Sequence, residues 1–295
     1  MAGKTRTLPR IAGNIAGNSG GPLERAGPLR DSSSPGDEPG DEARGGVVAV
    51  YSVKGGVGKT TLAANLAWCA SQNGYRTLLW DLDAAGGAGF LYGVQPSEGR
   101  SSGKGAAELF SRSKSPRQLI RPTRWDGLDI LPADETIRAL DGQLLRLGKR
   151  RRIAKLAAEL CEHYEVIVLD CPPVLNELSA QVMRAADAVI VPLPPSPLAA
   201  RALDLVRQEI AAHAPGRLPV LPVHSMLDMR RSLHREAHAA QPEWPAVPYA
   251  SAVEQCAVRN LPVGAFAPAS PAARAFADLW RAIAAKLQER RPAAN

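Results

Sequence analysis

The hydrophobic pattern of the chain begins at Val47. Val47-Val-Ala-Val-Tyr-Ser-Val53 is an apolar run of strand length, the pattern of a strand buried on both faces. Glycines follow, and then a helical periodicity predicts a helix over residues 60–73. Further apolar runs predict strands at 77–81, 128–132, 166–170, 188–192 and 218–223. Helical segments separate most of them, among them 152–164 and 198–213. Strands alternating with helices at this spacing predict βαβ units. The expected class is therefore α/β: a doubly wound, mainly parallel sheet with right-handed crossovers and helices on both faces. Near the C-terminus Phe276, Leu279, Trp280, Ile283 and Leu287 form an i, i+3, i+4, i+7 stripe with basic residues alongside, which reads as a helix facing the core. No internal repeat is visible.

Residues 1–45 lack this texture. They hold nine Gly, five Pro and no aromatic residue, too little apolar surface to offset the entropy of ordering. They are expected to be a disordered Gly/Pro-rich tail, followed by one domain over 46–290 and a short polar tail at 291–295. The chain has 295 residues and is 45% hydrophobic, which excludes wholesale disorder. No stretch reaches the roughly 20 apolar residues of a membrane-spanning helix. The first ten residues carry charges but no apolar h-region, so no secretory signal is expected. The four cysteines, Cys69, Cys161, Cys171 and Cys256, form no CxxC pair and no zinc spacing, and are expected to be reduced thiols of a cytosolic protein. Net charge is +7, and since residues 1–45 are neutral, the surplus sits on the remainder. A basic body suits an anionic partner: nucleotide, nucleic acid or membrane surface.

The strongest chemical signal is Val53-Lys-Gly-Gly-Val-Gly-Lys-Thr-Thr61, lying between the first strand and the first helix. Glycine-rich backbone can turn consecutive N–H groups inward around phosphate oxygens, and the positive end of the helix points at the same place. Lys59 is then placed to reach the β- and γ-phosphates, the Thr60 hydroxyl to ligand Mg²⁺, and Thr61 to contact the α-phosphate. Asp170 ends the apolar run Val166-Ile-Val-Leu-Asp170, and a carboxylate there lies beside the phosphate loop in a doubly wound sheet, where it can bind Mg²⁺.

The loop departs from G-x-x-x-x-G-K-[ST], because Val53 occupies the first glycine position and Lys54 follows. In this it resembles the ParA/MinD family of deviant Walker A P-loop ATPases of SIMIBI type, whose pattern is KGGxGK[ST]. The resemblance covers residues 46–290. It implies that Lys54 crosses the interface of an ATP-sandwich homodimer to the partner's nucleotide, while the backbone of Gly55, Gly56, Val57 and Gly58 cradles phosphate. Asp83, second aspartate of Trp80-Asp-Leu-Asp83, is implied to belong to switch I, beside Mg²⁺ and the attacking water; Asp81 is read as structural. Where the family continues Pro-Gln-Gly, this chain has Ala84-Ala85-Gly86. Asp170-Cys-Pro-Pro173 resembles Walker B followed by switch II. The iron-cluster cysteine pattern of the related nitrogenase iron proteins is not reproduced. No N-K-x-D guanine motif occurs, so ATP is the expected nucleotide. The resemblance puts adenine near 223–226 and 248–254, with Pro248 and Glu254 matching the family's pattern.

The expected function is thus a Mg²⁺-dependent ATPase with catalytic residues Lys54, Lys59 and Asp83, and metal residues Thr60, Asp83 and Asp170. It would be cytoplasmic and nucleoid-associated, and would position or segregate a plasmid, chromosome or protein cluster. Its partners would be non-specific DNA and a separate stimulating protein of ParB-like or adaptor type, with no integral membrane association. The DNA candidates are Arg230, Arg231, Arg235 and Arg259, with Lys149 to Arg152 as a further basic run. Where some relatives carry arginines after Pro248, this chain has Tyr249-Ala-Ser-Ala252. A MinD-like membrane cycle is set aside, because the C-terminal stripe matches the family's own closing helix. The alternative is a nucleotide-switch scaffold with little ATP turnover, serving a membrane-associated, cellulose-synthesis or chemosensory complex, a reading that Ala84-Ala85 keeps open.

Overall fold

The computed structural model describes residues 46–94, 116–133, 137, 151–214, 216 and 218–289. The tails expected at 1–45 and 291–295, together with Lys149 and Arg150, lie outside these residues. In chain order the elements are β1 (Gly46–Val50), α1 (Lys59–Gln72), β2 (Thr77–Asp81), α2 (Gly87–Leu91), β3 (Arg121–Pro122), β4 (Leu128–Leu131) and α3 (Arg152–Leu160). There follow β5 (Val166–Asp170), α4 (Glu177–Ala185), β6 (Ala188–Leu193), α5 (Pro197–His213), β7 (Val220–Leu227) and α6 (Ser232–Ala240). The last are β8 (Ala246–Pro248), α7 (Ser251–Arg259), α8 (Val263–Phe266) and α9 (Pro271–Glu289).

The strands form one sheet in the order β3-β4-β2-β5-β1-β6-β7-β8. All neighbours are parallel except β3 and β4. The period-two alternation of each strand divides its side chains between two helical layers. Val47 and Ala49 of β1, with Tyr51 just past its end, pack toward α3, α4 and α5. Val48 and Val50 pack toward α1 and α9. Burial on both faces is why these strands read as continuous apolar runs.

Helix α1 fits tightly because its buried positions are largely small: Ala63, Ala64, Ala67 and Ala70. Helix α4 is fixed by a reciprocal cap. The Asn176 side chain accepts from the Leu178 and Ser179 N–H groups, and the Asn176 N–H donates to Ser179 Oγ. Helix α9 buries Phe276, Leu279, Trp280 and Ile283, with Leu287 packed against the same layer, so the C-terminal stripe covers the sheet. Trp280 meets Tyr75 edge-on, ring centroids 5.5 Å apart.

The structure corrects several predicted boundaries. The helix predicted over 152–164 ends at Leu160, its last buried leucine; His163 and Tyr164 close a turn on the Leu160 carbonyl instead. The predicted strand at 218–223 begins later and runs to Leu227. Two short strands were not predicted, antiparallel β3 and three-residue β8, which are too brief to show a hydrophobic period.

Candidate functional site

Strand β1 stands between β5 and β6; the chain leaves β1 toward β2 on one side of the sheet and leaves β6 toward β7 on the other. The C-terminal end of β1 is therefore a topological switch point, where open α/β sheets form a crevice. The Gly-rich loop lies there. Gly56 (φ 69°) and Gly58 (φ 87°) occupy the left-handed region, which side chains rarely adopt. Gly58 is the N-cap of α1, and no side chain caps the helix, so its leading N–H groups face the loop without a side-chain acceptor. A Cβ on Gly55 would meet no protein atom within 4 Å, so the protein itself places no steric demand for glycine there.

Lys59 is 7% exposed and folds back over the loop, its Nζ donating to the Lys54 carbonyl at 3.2 Å. Burial lowers its pKa, against the opposing pull of Asp170 and Asp83. The Lys54 N–H donates to Ser52 Oγ at 3.3 Å, and the Lys54 side chain is exposed. Thr60 and Thr61 open α1, and Thr61 also lines the adjoining cleft.

Sheet register brings the carboxylates together. Asp170, the last residue of β5, lies opposite Val50 on one side and Asp81 on the other. Asp170 is fully buried, and among the described residues neither carboxylate oxygen has a hydrogen-bond partner. Burial pushes its pKa well above the carboxylate range; Asp81 adds to this, while the nearby Thr60 hydroxyl and Lys59 oppose it. Asp81 accepts from the Asp83 and Ala88 N–H groups, both at 3.0 Å, and burial raises its pKa to about 7. It thus ties the loop after β2 to the start of α2, a structural duty. Asp83 is half-buried, and its Oδ1 accepts from the Ala85 N–H at 3.0 Å.

Two orphaned, buried carboxylate oxygens beside Thr60 and Lys59 fit a divalent cation. Asp170 and Thr60 would hold it, with Asp83 alongside. Among the described residues no three His, Cys, Asp or Glu side chains make a cage of their own. Mg²⁺ characteristically uses one or two carboxylates together with substrate phosphates.

Beyond the loop opens a cleft with ≈ 630 Å³ of empty space, part of it open to solvent. Gly58, Thr61, Ser225, Met226, Pro248, Tyr249 and Glu254 are among its lining residues, so residues distant in sequence converge there. Ser225, Met226, Pro248, Tyr249 and Glu254 fall within the two segments, 223–226 and 248–254, where the resemblance puts the base; the reach of Phe276 into this cleft was not legible in the sequence. Sequence reasoning also missed Gly87, where a Cβ would lie 3.0 Å from Thr60 Cγ2. The adjacent Gly86-Gly87 pair was the available signal for that close approach.

The four candidate arginines are exposed but unequally available. Arg230 grips Asp228 with two bonds, at 2.8 and 2.9 Å. Arg235 donates to the Met229 and Arg230 carbonyls, which ties down its own loop. Arg259 lies over the Phe266 ring at 4.9 Å and donates to Gln255. Arg231 has no side-chain hydrogen bond or ion pair among the described residues. Arg152 opens α3, its N–H donating to Gln181.

The switch-point loop, with a lysine folded over it and an aspartate ending the neighbouring strand, defines a P-loop nucleotide-binding protein. Comparison with known proteins narrows this. The AAA_31 family, described as an AAA domain, matches residues 45–213. The chain belongs to this family and is a ParA-like P-loop ATPase family member. It is 35% identical over 150 residues to the chromosome partitioning protein ParA of Caulobacter vibrioides, covering 50% of this chain and 55% of that one. The chain spans about half the length of the curated relatives it matches first.

Among solved structures, cobyrinic acid a,c-diamide synthase from Mycobacterium smegmatis, with bound ATP analog and magnesium, superposes with a TM-score of 0.68 at 26% identity, covering 84% of this chain and 97% of that one. The septum site-determining protein MinD of Pyrococcus horikoshii, complexed with Mg-ADP, gives 0.64 at 20% identity over 81% and 95%, a likeness of fold. No helix among the described residues is long and apolar enough to cross a membrane.

Proposed function

We propose that residues 46–290 form a Mg²⁺-dependent ATPase that pairs as a homodimer around ATP and, in that state, binds DNA non-specifically to position or segregate cargo. The observation that carries this reading is the pairing of Lys59, folded over a loop of left-handed glycines, with the orphaned carboxylate of Asp170. A buried ammonium bonded only to a loop carbonyl, and a buried carboxylate with no hydrogen-bond partner among the described residues, suit a phosphate and a cation respectively.

In this reading Gly55 to Gly58, Lys59, Thr60 and Thr61 bind the triphosphate, and Pro248 and Glu254 lie at its base end. Asp83 orients the attacking water, and Lys59 and Lys54 stabilise charge developing on the γ-phosphoryl oxygens. Mg²⁺, when bound, supplies Lewis-acid neutralisation of that charge. Exposure of the Lys54 side chain at the loop mouth supports a role across an interface. The similarity to ParA supports DNA as the matrix, a cytoplasmic, nucleoid-associated location and a separate stimulating partner of ParB-like type.

Lys54→Ala tests the coupling of nucleotide to pairing. The variant is expected to keep ATP affinity within about threefold while losing ATP-dependent dimerisation, as in trans-acting charge donors. Light scattering at saturating Mg²⁺–ATP reads this, and a dimer undiminished in the variant rejects the trans role.

A further inference from the structure

Tyr51 lies outside the Lys54–Thr60 motif, yet it joins the strand that carries the loop to the segment that follows Asp170. It is fully buried, just past the end of β1. Its N–H donates to the Ile190 carbonyl of β6 at 3.0 Å, so its backbone is held by the sheet. The Tyr51 hydroxyl donates to the Val174 carbonyl at 2.7 Å, a bond across 123 residues. Burial pushes the phenol pKa upward, with Ser179 opposing and Glu209 adding, so the hydroxyl keeps its proton and remains a donor. Residues 171–176 make few bonds of their own. Pro172 and Pro173 carry no N–H, and the Val174 N–H donates locally to the Pro172 carbonyl at 3.0 Å. Pro173 and Leu175 are exposed, so packing does little to fix the segment. Its two ends are anchored. The Cys171 N–H donates to the Val50 carbonyl at 3.3 Å, and Asn176 caps α4, whose Ser179 hydroxyl donates to Glu209 Oε1 of α5 at 2.8 Å. The bond from Tyr51 holds the middle.

We propose that Tyr51 is a positioning residue for the phosphate site: its hydroxyl pins the middle of the 171–176 segment to the strand that carries the loop, so that nucleotide held at Lys59 and Thr60 orders this segment beside Asp170. This rests on the nucleotide reading of the loop. The segment begins at the residue after Asp170, whose carboxylate is left to a cation, so its position shapes the phosphate end of the site. One hydroxyl bond adds modestly to stability, but a chain held at both ends loses much of its remaining freedom when its middle is also held. Tyr51→Phe keeps the packing of the ring and removes only the donor.

Amide hydrogen exchange over residues 171–180, with and without Mg²⁺–ATP, reads the coupling directly. In the parent chain Mg²⁺–ATP is expected to slow exchange at the loop and at Val174, Leu175 and Asn176. In Tyr51→Phe the loop should keep its protection and ATP affinity should stay within about threefold, while protection at 174–176 falls about three- to tenfold. Turnover should follow, kcat falling about three- to tenfold with KM little changed. Gly264→Ala, which crowds Trp68 away from this segment, is the stability control and should leave both the protection and kcat as in the parent. Protection at 174–176 undiminished in Tyr51→Phe overturns the proposal, and so does kcat undiminished where the parent turns ATP over. Equal losses in Gly264→Ala overturn it too, by showing the effect to be one of stability. A parent chain in which ATP protects the loop but not 174–176 overturns the coupling alone. One in which ATP protects neither rejects the nucleotide site itself.

Discussion

Asp170 and His224 are both buried titratable residues, and each makes the chain sensitive to its surroundings in its own way. Among the described residues Asp170 has no hydrogen-bond partner on either oxygen, and Thr60 and Lys59 only partly offset its burial, so the protein without a cation bears an under-compensated group. Asp170→Asn is therefore expected to stabilise the ligand-free chain by about 1 kcal/mol while abolishing Mg²⁺-dependent ATP binding, the usual opposition between a site and its fold. Thermal unfolding with and without Mg²⁺–ATP checks both halves. His224 packs against His238 and Trp244, its Nε2 lies 3.3 Å from the Gln241 carbonyl, and Glu243 is nearby. Burial lowers its pKa below the ordinary 6.5. On acidification the unfolded chain takes up this proton before the folded one does, so stability is lost as pH falls below about 6.5 and is present above it. His224→Phe should flatten that part of a stability–pH curve. The sequence named Asp170 from its place at a strand end, but not its orphaned state, which depends on what three other segments present to it.

The joint between α1 and α8 shows how elements far apart in sequence are locked. Asn65 Nδ2 donates to the Thr61 carbonyl, and its Oδ1 accepts from the Val263 N–H at 2.8 Å, a bond across 198 residues. Asn65→Ala strands that buried N–H and is expected to cost about 1–3 kcal/mol. Gly264 sits against Trp68, where a Cβ would fall 2.0 Å from Cζ3. Gly264→Ala should overpack the joint by roughly 1–3 kcal/mol. Urea unfolding of the two variants reads both values. Neither residue stood out in the sequence, since a lone Asn in a helix and a Gly beside a turn carry no periodic signal. The long elements did: β1, β2, β5, β6, α1 and α9 were legible because each buries a continuous run or a stripe. Strands β3 and β8 were not, because two or three residues pair only when a neighbouring strand already stands in place.

At the scale of the whole molecule, the surplus of basic charge and the exposed arginines predict binding to DNA that depends on salt. In the Mg²⁺–ATP state affinity should fall steeply as salt rises, without preference among unrelated sequences. Arg231→Ala should weaken binding more than Arg235→Ala, because Arg235 already spends its guanidinium on two backbone carbonyls. Mobility shift across a salt series checks this, and insensitivity to salt counts against phosphate contact. The sequence by itself determined the α/β class, the order of the main strands and helices, and the identity of the phosphate loop. Those follow from local periodicity and from a motif whose chemistry is contiguous in the chain. Only the tertiary structure decided which carboxylate lacks a partner, which arginines are already engaged, and that Phe276 shares a cleft with Gly58. These depend on distances between segments that meet only when the sheet is assembled, and burial and unmet hydrogen bonds exist only once those distances are set.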